Sequence, residues 1–210
     1  LITTPATGNS GKGPALEYLH GLGVPLIGID LSCERMGSEW IPSEWDSDFQ
    51  ICTSPAYLAG LSLPSADLRN VDLSGADLGC IDISNAEPDC TNLQMANLKR
   101  ANMRGTTLLD ANLQEANLED ANLSDANLSR ANMRDIMLMH ANLQGAILER
   151  ANLQGAIIEG ANLREISLAT ADLQGANLQD ANLQDANLQE VILMHADLQG
   201  ASLSGGNLQS

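Results

Sequence analysis

Ala111-Asn112-Leu113-Gln114-Glu115 is one copy of a five-residue unit that repeats from Ala56 to Ser210. Read as a plain string, those 155 residues divide into 31 units with no insertion or deletion. The third place is Leu in 26 of the 31, the exceptions being Ile83, Pro88, Met103, Met133 and Ile158. The first place is Ala in 22 and the second is Asn or Asp in 21, so only the fourth and fifth places vary freely.

A period of five matches neither of the regular elements. On a helix, five residues advance ~500°, so successive leucines would fall ~140° apart and leave no common buried face. On one long strand, the first and third places share a face, but the next unit starts with opposite parity. The chain must therefore change direction once per unit. Each unit becomes one side of a polygonal coil, with its small first and large third residues pointing inward. Coils then stack through backbone hydrogen bonds ~4.8 Å apart.

In these A-(D/N)-L-x-x units the chain resembles the pentapeptide-repeat proteins over about three quarters of its length. The resemblance implies an all-β solenoid, a right-handed quadrilateral parallel β-helix with four units per twenty-residue coil. On that basis the 155 residues give 7.75 coils, a rod of roughly 37 Å. The Leu-centred, Gln-rich style is similar to pentapeptide proteins of cyanobacteria and photosynthetic organelles. It implies a photosynthetic setting, with chloroplast or thylakoid association.

Composition narrows the function. With 27 acidic and 10 basic side chains the net charge is −17, which argues against a nucleic-acid-binding face and for protein partners. One Phe, two Tyr and two Trp leave no stacking platform for bases. No apolar run approaches the ~18 residues of a membrane span.

Ahead of the repeats, residues 1–13 read as a flexible leader. Gly8-Asn9-Ser10-Gly11-Lys12-Gly13 lacks the spacing of a phosphate loop and has Gly13 where a magnesium-binding hydroxyl belongs. Residues 14–55 read as an N-terminal cap on the open coil end or as a docking segment. Pro14–His20 suits a short helix, Val24–Leu31 a strand, and Trp40, Trp45 and Phe49 stand among acids as candidate partner contacts.

Within the repeats, Asp67, Asp72, Asp77 and Asp82 hold the second places of the first full coil, one per side. On four different sides they cannot converge on the ~2.3–2.6 Å distances of a calcium site, so they read as turn acceptors. Glu87-Pro88-Asp89-Cys90 puts Pro in the Leu place, which predicts a locally bulged side. Cys80 and Cys90, half a coil apart, fall on opposite corners, leaving Cys33 with Cys52 as the pair able to reach the ~5.5 Å of a disulfide. His20, His140 and His195 do not cluster as metal ligands. No nucleophile, base and orienting group assemble, so the chain reads as a non-enzyme with no cofactor and no metal.

What remains is the set of outward places that break the pattern. Met137, Met139 and Ile157 stand where polar residues are usual, with His140 at the adjoining corner, and Met137 and Ile157 are one coil apart. Ile192 and Met194 form a second such group, and Leu109 with Ile147 a diluted third. Two functions follow. One is a non-catalytic scaffold or accessory subunit presenting one side of the rod to a protein complex. The other is an acidic DNA mimic acting on a topoisomerase or another DNA-binding protein, like some members of the family; Arg100, Arg104, Arg130, Arg134, Arg150 and Arg164, the non-Phe centre and the absence of a projecting loop weigh against it. Leu203 and Leu208 end in ordinary repeat sequence, which predicts cover from a further segment or another chain.

Overall fold

The computed structural model describes residues 40–42, 50–52, 62, 63, 66, 68, 69, 71, 73, 76, 78–81 and the unbroken run 89–208. The leader, the helix over Pro14–His20, the strand over Val24–Leu31, Cys33, Trp45 and Phe49 lie outside them. Within the segment read as a cap, β1 (Trp40–Pro42) pairs antiparallel with β2 (Gln50–Cys52), Trp40 opposite Cys52.

From Asn92 onward, second-place residues pair in parallel with the second-place residue twenty positions on, and four such columns run side by side. They pass through Asn92 and Asn112, Asn97 and Asn117, Asn102 and Asn122, and Thr107 and Asn127. These are the four sides. First and third places point inward as the repeat demands: Leu113, Ala116, Leu118 and Leu123 are buried in one continuous core with their counterparts in every coil from Leu63 to Leu188. Val191, Leu193, Ala196, Leu198, Ala201 and Leu203 are only partly buried, and Leu208 is 60% exposed.

The partners of the unit's five N–H groups account for the Asn. The third-place N–H reaches the next coil (Leu113 to the Asn132 carbonyl, 2.8 Å), and the second-place N–H reaches the previous one (Asn132 to Ala111, 2.9 Å). The fifth-place N–H also reaches forward (Glu115 to Arg134, 2.9 Å), and the next first-place N–H closes a turn onto the third carbonyl (Ala116 to Leu113, 3.0 Å). Only the fourth is left, and the second-place side chain takes it: Gln114 N–H donates to Asn112 Oδ1 at 3.2 Å. Asp172 and Asp197 do the same for Gln174 and Gln199. The amides also form ladders, Asn122 to Asn102, Asn142 to Asn122 and Asn162 to Asn142 on one side.

The corner lies at the fifth place. Every fifth-place residue from Met95 to Gly205 has φ between +53° and +75°, the i+2 position of a type II turn. Seven of these are Gly, and the rest include Asp, Glu, Arg, His, Thr and Met.

The expected gapless stacking is corrected at one point. Ser62 bridges not to residue 82 but to Asn92, thirty residues on, and Leu68, Leu73 and Leu78 donate to Asn97, Asn102 and Thr107 (2.7–2.8 Å). Ten residues, two whole units, therefore leave the coil between Gly79 and Thr91. Cys80–Ile81 (β3) pairs antiparallel with Asp89–Cys90 (β4), Cys80 opposite Cys90. At the neck, Gly79 carbonyl accepts from both the Thr91 N–H (3.4 Å) and its hydroxyl (3.2 Å).

Several expectations change together. Asn92 takes the stacking place opposite Ser62 that the count of 7.75 coils assigns to residue 82, and Asp67, Asp72, Asp77 and Asp82 themselves lie outside the described residues. Residues 82–88, with Pro88 and the bulged side expected there, lie outside the described residues. Cys80 and Cys90 are not on opposite corners. Residues directly opposed in an antiparallel ladder stand ~4.5–5.5 Å apart at Cα, within disulfide range, and Cys90 is disulfide-bonded.

Candidate functional site

Met137 and Ile157 face each other in the ladder of one side, with Asn117 above and Asn177 below. Both are half-buried, as is Met139 at the fourth place between them, so the group lies flat on the rod. Neither Met137 nor Ile157 has an oxygen for the fourth-place N–H of Met139 or Glu159, the bond Asn112 makes to Gln114. The side thus gives up two of the hydrogen bonds that close the unit and gains two apolar surfaces.

His140 is exposed at the adjoining corner with φ +57°, and its ring leans over Gly160 one coil on. The surroundings are acidic and mostly paired: Lys99 with Glu119 (2.7 Å), Arg100 with Asp120 (3.6 Å), Arg134 with Asp135 (3.3 Å). Glu159 lies beside Ile157 in the same unit. The face combines an apolar centre with a negative rim.

The other candidates fall elsewhere. Ile192 (47% exposed) and Met194 (57%) lie on the neighbouring side, on the column of Asp172, in the last coil. Leu109 and Ile147 are half-buried on a third side, the column of Thr107 and Asn127. Trp40 stands in β1, ahead of the repeat in sequence. Sequence reading missed Met95, 55% exposed at a fifth-place corner; its signal was an apolar residue in a place otherwise polar or Gly.

Arginines form cross-coil pairs. Arg130 Nε donates to Asp110 Oδ1 at 2.6 Å, which holds the Asp110 carboxyl below its usual range and raises the guanidinium. Arg104 pairs with Asp125 (3.3 Å). Beyond Arg164 the described chain carries Glu165, Asp172, Asp180, Asp185, Glu190 and Asp197 and no Lys or Arg. Among the described residues no three His, Cys, Asp or Glu side chains are grouped to hold a metal, and no helix is long and apolar enough to cross a membrane.

The family model for pentapeptide repeats matches in eight copies over residues 56–87, 96–135, 108–145, 138–169 and 171–209, more than half of the chain. Among solved structures, the chain is similar to HetL, a pentapeptide repeat protein involved in heterocyst differentiation regulation in the cyanobacterium Nostoc sp. strain PCC 7120. The identity is 24% over 91% of this chain and 95% of that one, with a TM-score of 0.37. QnrB1, a plasmid-mediated fluoroquinolone resistance protein, is 19% identical over 89% and 92%, with a TM-score of 0.47. A pentapeptide repeat protein of the Arabidopsis thaliana thylakoid lumen is 29% identical over 57% and 69%, with a TM-score of 0.21. No curated protein matches.

Proposed function

The chain belongs to the pentapeptide-repeat family, whose members are generally non-enzymatic structural or interaction proteins, and from that premise we propose that it is a non-catalytic scaffold or accessory subunit docking a protein partner on the Met137–Ile157 side. The observation that carries the reading is the abandoned hydrogen bond. Asn at positions 137 and 157 would accept from Met139 and Glu159, each bond contributing on the order of 1 kcal/mol. Retaining Met and Ile runs against the fold's own preference, as expected where a surface serves something other than stability. Residues 14–55 cap the N-terminal coil in this reading, the coil is right-handed, and the setting is photosynthetic.

The test is Met137→Asn with Ile157→Asn. This variant restores the repeat's preferred residue, so it should melt at or above the parent temperature and yet fail to retain the partner recovered by the parent from photosynthetic membranes. Equal recovery by parent and variant removes this side from the proposal.

A second reading, an acidic rod competing with DNA for a DNA-binding protein, draws on two observations: the run from Glu165 to Asp197 without Lys or Arg, and an excursion that does interrupt the coil. Competition against duplex DNA for a topoisomerase, unaffected by the double Asn variant, would favour it over the scaffold.

A further inference from the structure

We infer that Cys80 and Cys90 form a thiol–disulfide exchange site at the neck of the two-unit excursion, a site that takes a dithiol as its reductant and fastens the first coil to the rest of the rod. Cys90 is disulfide-bonded, and the residue opposite it in the ladder is Cys80. The ladder has two residue pairs, Cys80 with Cys90 and Ile81 with Asp89, and a hairpin that short does not hold itself together in water. Beside it the Gly79 carbonyl accepts from the Thr91 N–H and hydroxyl. The coil containing Leu63, Leu68, Leu73 and Leu78 bonds directly to the next through its backbone, and the bridge adds a covalent closure of the segment that connects the two.

The bridge also selects the register. Were the ten residues wound into the coil, 80 and 90 would stand half a coil apart on opposite corners, beyond disulfide reach, and Pro88 would occupy a third place with no N–H for the next coil. The closed bridge is compatible only with the offset seen in the Ser62–Asn92 pair. Exchange is balanced: a thiolate of the dithiol attacks one bridge sulfur and forms a mixed disulfide. Its second thiol then displaces the remaining cysteine thiolate, leaving an oxidised dithiol and, after protonation, two cysteine thiols.

The experiment uses the full chain with dithiothreitol as the dithiol, followed by hydrogen exchange and by disulfide mapping after cleavage at Glu87. Mapping should recover Cys80 joined to Cys90. On reduction, exchange at the Thr91 N–H should accelerate on the order of 100-fold, as the loss of closure of a loop about this long predicts. Exchange at Leu63, Leu68 and Leu73 should rise with it, while amides from Ala111 to Leu173 stay unchanged. Cys80→Ser with Cys90→Ser should show the accelerated pattern without dithiothreitol and no further response to it. Cys90 mapped to Cys33 or Cys52, a bridge that dithiothreitol leaves intact in the folded chain, or unchanged Thr91 exchange after reduction would each overturn the inference.

Discussion

Leu63 donates its N–H to the carbonyl of Asn92 at 2.8 Å, and Leu93 donates to that of Asn112 at the same distance, although the first bond spans ten residues more than the second. The stack is therefore indifferent to residues 81–90. Joining Cys80 directly to Thr91 would leave Ala76-Asp77-Leu78-Gly79-Cys80 as an ordinary unit with Cys80 at its corner. Deleting 81–90 should leave the melting temperature close to the parent's, since removing a loop this short changes closure entropy by about 1 kcal/mol or less. If those residues filled coil positions, the deletion would instead remove half a coil of core and unfold the N-terminal end. Calorimetry of the deletion variant distinguishes the two.

Leu123 is fully buried, so Leu123→Asp places a carboxylate with no partner in an apolar stack. The loss should exceed the roughly 2–5 kcal/mol of a buried Leu→Ala change, and neighbouring coils should unfold with it. Gln154→Glu, which looks neutral from sequence, is not a clean control: Gln154 Nε2 donates to Asp172 Oδ2 at 2.6 Å, and a second carboxylate would repel the first. Gln199→Glu, exposed in the last coil, is the better comparison. A Leu123→Asp variant with the urea midpoint of Gln199→Glu would disprove the inward assignment.

The inward places were legible because Leu and Ala recur where burial demands them, as at Leu113 and Ala116. The excursion was not legible, for a physical reason: ten is a multiple of five, so leaving the coil for two units and returning preserves every later phase. Pro88 marked the place without giving the size. The error then passed to the cysteines, whose separation was measured along a coil they do not follow. Corner geometry left a fainter trace in Gly105, Gly145, Gly155, Gly160, Gly175, Gly200 and Gly205, all at fifth places with positive φ. For the contact face, the repeat places Met137 and Ile157 on one column, but the hydrogen bonds they forgo depend on the fourth-place N–H bonding to the second-place Asn, which the repeat pattern alone does not show.

The cross-coil pair of Asp110 with Arg130 sets one pH dependence. The carboxyl is held below its ordinary value of 3.8 by the hydrogen bond from Arg130, which outweighs the opposing effect of burial, with a smaller contribution from the Arg130 charge. For a group depressed in the folded state, the stabilisation is fully present above the ordinary value and is lost as pH falls through the lower folded one. Urea midpoints of parent and Asp110→Asn should therefore differ at neutral pH and converge in strong acid. Because both side chains are partly exposed, the gap should be small and should shrink further in 1 M salt. A gap that widens on acidification would reverse the sign of this argument.

His140 and Gly160 offer the last test, one that separates backbone conformation from contact. A Cβ at Gly160 would stand 2.6 Å from His140 Nδ1, whereas one at Gly175 would meet nothing within 4 Å; φ is nearly the same, +63° and +69°. Gly175→Ala should therefore show the left-handed penalty alone, roughly 1–2 kcal/mol, less about 0.4–1 kcal/mol from the stiffer unfolded chain. Gly160→Ala should cost more, because the His140 ring must move off the corner. In a His140→Ala background the two glycine substitutions should become equal, since the atoms nearest a Cβ at Gly160 all belong to the ring. A double-mutant cycle in urea reads the coupling directly. Zero coupling between positions 140 and 160 would mean that the ring does not rest on the corner below it. Positive coupling would identify His140 as a side chain held against the coil beside Met139, leaving that edge of the contact face ordered before any partner arrives.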